Sequence, residues 1–186
     1  MKKEVEIKLR IDVQDFNKLI QDLDKFQFEK TYGFFTDEYK NMEKWIFPRI
    51  KEVIDKDSRI AYVTVKVKNK QNAELFIRDE YEFMLENMND EKIKSIREMF
   101  FALEYTIEHI FEKKRYRLVE MNNCDVVVDV LPFGYFLEVE WEEENIEKTI
   151  KELGLEDKER INKAYLRVWD EYKKENNLTG ECIFAN

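Results

Sequence analysis

Apolar and polar residues alternate with a period of two along most of the chain. In residues 4–11, apolar Val5, Ile7 and Leu9 alternate with charged residues, which predicts a strand with one buried face. Segments rich in Val, Ile, Phe and Tyr predict further strands at 45–54, 60–69, 75–85, 105–113, 114–121, 125–131 and 135–142. Segment 31–42 is aromatic but irregular, so its pattern predicts only a loosely extended chain.

Four other segments repeat apolar residues at helical spacing. Asp12 is placed to cap the first helix, Asn89 precedes the second, and Gly154 ends the third. The fourth helix is predicted over about 157–177, and a loose end follows it at 178–186. The apolar faces are formed by Phe16, Leu19, Ile20 and Leu23; Ile93, Ile96, Phe100 and Leu103; Ile146, Ile150 and Leu153; and Ile161, Tyr165, Val168, Trp169 and Tyr172.

These elements predict an α+β fold. About eight antiparallel strands with a few helices packed outside favour closure into an eight-stranded β-barrel, a tunnel without open sheet edges. No Gly- or Pro-rich linker divides the chain, and no repeat of fixed period appears. The predicted organisation is therefore a single tunnel domain over 1–177 with a C-terminal tail at 178–186.

Composition narrows the class of function. The 186 residues include 32 Lys+Arg and 41 Asp+Glu, a net charge of −9, which argues against a dedicated nucleic-acid binder. A single histidine, His109, excludes a multi-histidine metal site, and Ser58 and Ser95 leave little room for a serine triad. Cys124 and Cys182 lie outside any CxxC pattern, which indicates a reducing compartment without disulfides.

The chain is predicted to be cytoplasmic. Its start, Met1-Lys2-Lys3-Glu4, enters the charged alternation at once, unlike a signal peptide. No uncharged run approaches the roughly 18 apolar residues that a membrane span needs. We therefore expect neither a membrane nor a nucleic-acid partner. The oligomeric state stays open, with a homodimer as one alternative.

The charged residues of each predicted strand share one face, because residues i and i+2 point the same way. The rows are Glu4, Glu6, Lys8 and Arg10; Arg49 and Lys51; Lys66 and Lys68; Arg78, Glu80 and Glu82; Lys113, Arg115 and Arg117; Asp129; and Glu138 and Glu140. They hold ten bases and seven acids, a net +3 within an acidic chain. Such rows usually face solvent. Because nearly every strand repeats the pattern, we interpret them as the lining of the tunnel.

This lining indicates a polyphosphate ligand with a divalent cation. Clustered Arg and Lys side chains donate strong hydrogen bonds to phosphate oxygens. Clustered carboxylates without histidine or cysteine suit hard cations such as Mg²⁺ or Mn²⁺. Together the two sets are suited to a metal–polyphosphate complex.

Short motifs recur on the successive strands. They are Glu4-Val5-Glu6-Ile7-Lys8, Arg49-Ile50-Lys51, Thr64-Val65-Lys66, Arg78-Asp79-Glu80-Tyr81-Glu82, Lys113-Lys114-Arg115, Asp129 followed by Gly134-Tyr135-Phe136-Leu137-Glu138-Val139-Glu140, and Ala164-Tyr165. In this order they resemble the E-x-E-x-K, R-x-R, T-x-K, R-x-E-x-E, K-x-R, D…G-x-F-x-E-x-E and Ser-Tyr motifs of the CYTH superfamily, the triphosphate tunnel metalloenzymes. The resemblance spans roughly residues 1–170.

The resemblance implies roles for the residues at these positions. It implies substrate binding by Lys8, Arg49, Lys51, Lys66, Arg78, Lys113 and Arg115, and the charged rows add Arg10, Lys68 and Arg117 as substrate-binding candidates. Metal ligands would be Glu4, Glu6, Glu80, Glu82, Asp129, Glu138 and Glu140, with Mg²⁺ or Mn²⁺ as cofactor. The implied catalytic residues are Lys8, Glu138 and Glu140. Glu80 would either bind the metal or orient the bases.

The resemblance implies hydrolysis of a small triphosphate: inorganic triphosphate, thiamine triphosphate or a nucleoside triphosphate. The alternative is a class IV adenylate cyclase that converts ATP to cyclic AMP and pyrophosphate. The sequence lacks the His-Phe pair that precedes E-x-E-x-K in such cyclases, which favours hydrolysis. Lys51 replaces the usual second Arg, and Val67-Lys68 replaces the common Gly-Pro. Two further alternatives are a non-catalytic polyphosphate- or nucleotide-binding module and a solvated sheet without a site.

Some reactive or aromatic residues are better explained by structure than by chemistry. His109 lies on a predicted strand outside any of the motifs, which favours a structural role. The aromatic cluster Tyr32, Phe34, Phe35 and Tyr39 favours core packing over stacking on a ligand ring.

Overall fold

The computed structural model describes residues 2–23, 25–35, 46–56, 58–68, 76–118 and 120–185. Within these ranges, the side chains of residues 2–4, 46–47, 68, 76–78 and 107–108 lie outside the description. The strands are β1 Lys2–Ile11, β2 Gln27–Phe35, β3 Ile46–Ile54, β4 Arg59–Lys68, β5 Phe76–Leu85, β6 Ile107–Arg117, β7 Asp125–Leu131 and β8 Gly134–Glu140. The helices are α1 Val13–Ile20, α2 Asp90–Ala102, α3 Glu143–Leu153 and α4 Tyr165–Asn176.

The strands form a closed antiparallel barrel in the order β1-β5-β4-β3-β2-β6-β7-β8. The barrel closes where β1 pairs with β8, in a register that aligns Glu6 with Glu140 and Lys8 with Glu138. Past the end of the β1–β5 pairing, Leu9 bridges to Arg160 instead. The predicted α+β barrel is therefore confirmed.

Local signals place the first three helices. The Asp12 side chain accepts hydrogen bonds from the backbone at the start of α1, Asn89 does the same for α2, and Gly154 ends α3 with a left-handed φ of 69°. The fourth helix begins at Tyr165 rather than near residue 157. The preceding residues extend along β1 instead, where the Ile161 amide donates to the Lys8 carbonyl at 2.7 Å.

Two strand predictions were wrong. The predicted strands 105–113 and 114–121 contain one strand, β6. Of the segment 31–42, predicted as loosely extended, residues 31–35 belong to a regular strand, β2, and 36–42 lie outside the described residues. In both, charged residues occupy both faces. On β2, Glu29 is buried, while its neighbour Lys30 points the other way and pairs with Glu112 at 3.2 Å. Adjacent charges of this kind interrupt the period-two pattern.

Helices pack on the barrel through three apolar clusters, two of them on its outer face and the third at one end of the barrel. Helices α1 and α3 pack on β1, β7 and β8, where Leu9, Val128 and Leu137 are fully buried. Helix α2 packs on β2, β3 and β4, with the rings of Phe34 and Phe100 stacked at 4.4 Å. Helix α4 contributes to the third cluster, which also holds residues of β6, β7 and β8. No helix among the described residues is both long and apolar enough to cross a membrane.

The C-terminal segment is docked, although the sequence predicted a loose end. The Glu112 amide donates to the Cys182 carbonyl at 2.8 Å, and the Cys182 amide donates to the Ile110 carbonyl at 3.2 Å. The Trp169 indole donates to the Gly180 carbonyl at 3.3 Å. The segment satisfies the part of the β6 edge that extends beyond the pairing with β7.

Candidate functional site

The charged rows of the strands lie inside the barrel, because the opposite faces are packed against helices. Lys8, Lys66, Lys113, Glu6 and Asp129 are all less than a tenth exposed. Buried charges are stable only when they are paired or bound to a ligand. The contacts of these residues therefore define the site.

An acid-rich wall is formed by strands β1, β2, β6, β7 and β8. Its described charged residues are Glu6, Lys8, Glu29, Lys113, Arg115, Asp129 and Glu138. Asp129 is its centre: it accepts from Lys113 Nζ at 2.8 Å and from Arg115 Nε and Nη2 at 2.8 and 2.7 Å. The two-pronged pair with Arg115 fixes both side chains. Arg115 also pairs with Glu138.

Lys8 lies between two carboxylates of neighbouring strands. Its Nζ is 3.2 Å from both Glu6 Oε1 and Glu138 Oε1. Burial raises the pKa of Glu138, but the charges of Lys8, Lys113 and Arg115 outweigh it and hold that pKa well below its usual range. Glu138 is therefore ionised at neutral pH.

Glu29 is a site residue that the sequence did not reveal. It lies on β2, is 3% exposed, and is 3.3 Å from Lys113 Nζ and 3.9 Å from Arg115 Nε. Burial opposes its ionisation, but Lys113, Arg115 and Lys51 lower its pKa to about 2. Glu29 and Thr31 are two residues apart and both buried, so they point to the same side of β2, as the charged residues do on the other strands. That signal was hidden because β2 was not recognised as a strand.

A base-rich wall is formed by strands β3, β4 and β5. Its described residues are Arg49, Lys51, Thr64, Lys66, Glu80 and Glu82. The ion pairs here are longer than most on the acid-rich wall: Arg49 and Lys66 each lie 3.5 Å from Glu80, and Lys51 lies 3.9 Å from Glu82. Arg49 Nε is buried without a hydrogen-bond partner.

Lys51 is a largely buried base of the base-rich wall, and its pKa is shifted. Burial and the neighbouring Arg49 guanidinium lower its pKa. Its ammonium lies 4.3 Å from the centre of the Tyr62 ring. Lys51 also links the two walls, because its charge acts on Glu29.

Helix α4 reaches the site through Tyr165. The Tyr165 hydroxyl donates to Asp129 Oδ2 at 3.1 Å, and its ring centre lies 4.7 Å from Lys8 Nζ and 5.6 Å from Lys113 Nζ. Burial and the charge of Asp129 raise the pKa of Tyr165 well above its usual value, so the phenol stays protonated. Around it, Phe136 and other apolar residues of the third cluster occupy this end of the barrel.

Two bases predicted to bind substrate lie outside these walls. Arg10 pairs with Glu159 at 2.9 Å and is about one third exposed. Arg117 pairs with Asp125 and is more than half exposed. Both point to the same side of their strands as the buried charged residues, but they lie nearer the strand ends. The sequence predicted a net positive lining. Among the described side chains of the two walls, with the half-buried Glu140 included, there are six bases and seven acids, while Glu4, Lys68 and Arg78 lie outside the described side chains.

Three predicted site residues lie outside the described side chains: Glu4, Lys68 and Arg78. Their backbone positions are described, and Arg78 is aligned with both Glu4 and Lys68. Tyr39 lies outside the described residues. His109 contacts the Phe35 ring and lies 4.0 Å from Glu181, away from both walls. Tyr32 and Phe34 belong to the core under α2, as expected.

The described residues contain no group of three or more His, Cys, Asp or Glu side chains arranged to hold a metal ion. Carboxylates of β1 and β8 lie on neighbouring strands. Glu6 is aligned with Glu140, and Glu6 and Glu138 both contact Lys8. These candidate metal ligands are carboxylate oxygens, which suit hard divalent cations. Such an ion would need further oxygen ligands from a bound anion.

The fold and the site together define a class: closed antiparallel β-barrels with a charged interior. No protein-family profile and no curated protein matches the sequence. The fold is nevertheless found in solved structures. The PH1819 protein of Pyrococcus horikoshii OT3 superposes with a TM-score of 0.69 at 21% identity, covering 91% of this chain and 99% of that one.

Two further structures carry functional descriptions. A candidate adenylate cyclase from Vibrio parahaemolyticus has a TM-score of 0.57 at 15% identity, with 91% of this chain and 98% of that chain covered. HpAC1 from Hippeastrum, described as a candidate adenylyl cyclase with a dominant triphosphatase activity, has a TM-score of 0.57 at 19% identity, covering 91% and 96%. At these identities the likeness establishes a shared fold.

Proposed function

We propose that this protein is a CYTH-type phosphohydrolase that cleaves a small triphosphate with the help of a divalent cation. The observation that carries the proposal is the buried, charged interior with incompletely paired polar atoms. Arg49 Nε, a hydrogen-bond donor, is buried without a partner. Because buried polar atoms are normally satisfied, a polar ligand in the barrel is the natural partner for such groups.

The base-rich wall is suited to hold the phosphates. Arg49, Lys51 and Lys66 are held by long ion pairs of 3.5 to 3.9 Å, so exchanging them for phosphate contacts costs little. The Arg49 guanidinium can offer a planar pair of donors, whereas the two lysines act as compact charges. These bases would stabilise negative charge that develops during phosphoryl transfer.

The acid-rich wall fits a cation that arrives with the triphosphate. Mg²⁺ is commonly bound by one or two carboxylates together with substrate phosphates, and Glu6 and Glu138 provide two carboxylates beside Lys8. When bound, the cation supplies charge neutralisation to phosphate oxygens. Lys8 is placed to bind the same anion, while Asp129 and Tyr165 keep Lys113 and Arg115 in position.

A product-resolved assay tests this function. Tripolyphosphate, thiamine triphosphate, ATP and GTP are incubated with Mg²⁺ or Mn²⁺, and products are separated chromatographically. We expect orthophosphate from at least one substrate. Cyclic AMP with pyrophosphate would favour the adenylate cyclase alternative, supported by the fold shared with the Vibrio protein. Binding of tripolyphosphate without any product would identify a non-catalytic module.

A paired substitution tests the acid-rich wall. The double variant Glu138→Gln and Glu140→Gln should lose turnover by at least roughly a hundredfold, because two carboxylates proposed to hold the divalent cation are removed. The matched control is Glu143→Gln and Glu144→Gln at the start of α3, which removes the same charge outside the barrel. Retained phosphate release in the first variant would contradict the role given to these carboxylates.

A further inference from the structure

Glu29 differs from the other acids of the acid-rich wall in how it is paired. Asp129 binds Lys113 and Arg115 through short hydrogen bonds of 2.7 to 2.8 Å. Glu29 contacts the same two bases at longer distances: its Oε2 lies 3.3 Å from Lys113 Nζ, and its Oε1 lies 3.9 Å from Arg115 Nε. Both bases would therefore keep a close carboxylate if Glu29 were neutral.

Glu29 places a negative charge beside the bases of the acid-rich wall. It lies beside Lys113 and Arg115, and its field also reaches Lys51 of the base-rich wall. With Glu29 included, acids outnumber bases among the described lining residues, seven to six. Each carboxylate beside these bases weakens their attraction for a bare polyanion, since buried charges interact strongly over several ångströms.

We infer that Glu29 is a selectivity residue that makes triphosphate binding depend on a divalent cation. Its carboxylate offsets the positive charge of Lys113, Arg115 and Lys51, so the tunnel favours the metal–triphosphate complex over the free anion. This inference rests on the proposed function. Glu29 does not contact the metal in this scheme. It is a positioning residue that acts indirectly, through the electrostatic effect of its carboxylate on the three bases.

The experiment compares tripolyphosphate binding with excess EDTA and with excess Mg²⁺, by calorimetry and by thermal unfolding. Glu29→Gln removes the charge at nearly constant shape, and Glu29→Asp retains it. Glu147→Gln is the control for net charge, because Glu147 pairs with Arg160 on the exterior at 2.7 Å. If Glu29→Gln does not fold, Glu29→Thr removes the charge with a residue that suits a strand.

We expect wild type to bind tripolyphosphate far more tightly with Mg²⁺ than with EDTA. Glu29→Gln should bind metal-free tripolyphosphate roughly ten- to a hundredfold more tightly than wild type, with a matching fall in the ratio of the two affinities. Glu29→Asp and Glu147→Gln should keep the wild-type ratio. An unchanged ratio in Glu29→Gln, or an equal gain in Glu147→Gln, overturns the inference.

The two proposals fail in different ways. If wild type binds tripolyphosphate under neither condition and releases no phosphate, the proposed function is wrong and the role of Glu29 falls with it. If wild type binds and hydrolyses the Mg²⁺ complex while Glu29→Gln keeps the wild-type metal dependence, only the role of Glu29 is wrong.

Discussion

The Tyr165 hydroxyl donates a hydrogen bond of 3.1 Å to Asp129, joining the first turn of α4 to the centre of the acid-rich wall. Asp129 at the same time accepts hydrogen bonds from Lys113 and Arg115. The helix at one end of the barrel and the charge network inside it are therefore one connected structure. Movement of α4 would change the environment of both bases.

Substitution of Tyr165 by Phe should destabilise the protein by about 1.5–3 kcal/mol, the usual range for a hydrogen bond to a charged group. Urea unfolding measures the loss. Tyr172→Phe is the control, because it removes a hydroxyl from the same helix while its ring still packs on Trp169. That variant should change stability by less than about 0.5 kcal/mol. Equal losses in both variants would show that the Asp129 contact is not special.

Lys51 should set the alkaline limit of triphosphate binding. Burial and Arg49 lower its pKa, so the ammonium loses its proton at a pH below the ordinary lysine value of about 10.4. Binding should weaken as pH rises through that lowered pKa, because neutral Lys51 no longer attracts phosphate. Lys51→Arg should move this limit to higher pH, since arginine stays charged.

The measurement for Lys51 is the affinity for Mg²⁺–tripolyphosphate as a function of pH. Lys30→Arg is the matched control, because Lys30 pairs with Glu112 on the outer face of the neighbouring strand. It should leave the profile unchanged. A Lys51→Arg profile that overlays the wild type would assign the alkaline limit to another group.

The pair formed by Arg59 and Glu52 should be a major source of stability outside the tunnel. Glu52 is fully buried on β3, and Arg59 also reaches Asp90 at the start of α2, 2.5 Å away. Arg59→Ala leaves a buried carboxylate without its partner, which should cost about 3–5 kcal/mol. In the exposed pair of Arg160 with Glu147, Arg160→Ala should cost less than about 1 kcal/mol. Similar losses in urea unfolding would contradict the assignment.

The docked C-terminal segment should protect Cys182 from thiol reagents. Burial, aided by Glu112 and Glu181, raises the pKa of this thiol to about 12, so very little reactive thiolate forms. Trp169→Phe removes the indole hydrogen bond to Gly180 and should speed labelling of Cys182 by several-fold through local opening. Cys124, buried near Thr149, is an internal control whose rate should not change. Peptide mass spectrometry resolves the two rates, and a parallel increase at both would indicate global destabilisation.

Much of the fold could be predicted because period-two alternation is strong wherever one strand face is apolar. The first strand, with Val5, Ile7 and Leu9 facing the helices, is the clearest case. The same logic failed for β2 and β6, where Lys30 and Glu112 pair on the outer face and remove the contrast between the two sides. Only the pairing of these strands reveals that both are regular.

The site was predictable by side-chain parity but not by position along the barrel axis. Arg10 and Lys8 share a face of β1, yet Lys8 is buried between carboxylates, whereas Arg10 pairs with Glu159 near the rim. A sequence specifies which face a residue takes and leaves its depth to strand tilt and register. The pairing of Arg10 with Glu159 arises only through tertiary packing.

Closure of the barrel at β1 has a consequence for synthesis on the ribosome. Strand β1 is made first, but its partner β8 spans residues 134–140, and the chain near Arg160 completes the same edge. One edge of β1 therefore lacks backbone hydrogen-bond partners until most of the polypeptide has emerged. An unpaired strand edge is a known hazard for aggregation. A triphosphate cannot rescue this intermediate, because Lys8 and Glu138 meet only when the last strand arrives. The barrel is therefore most vulnerable to aggregation during translation, when the nascent chain depends on chaperones, and not after the barrel has closed.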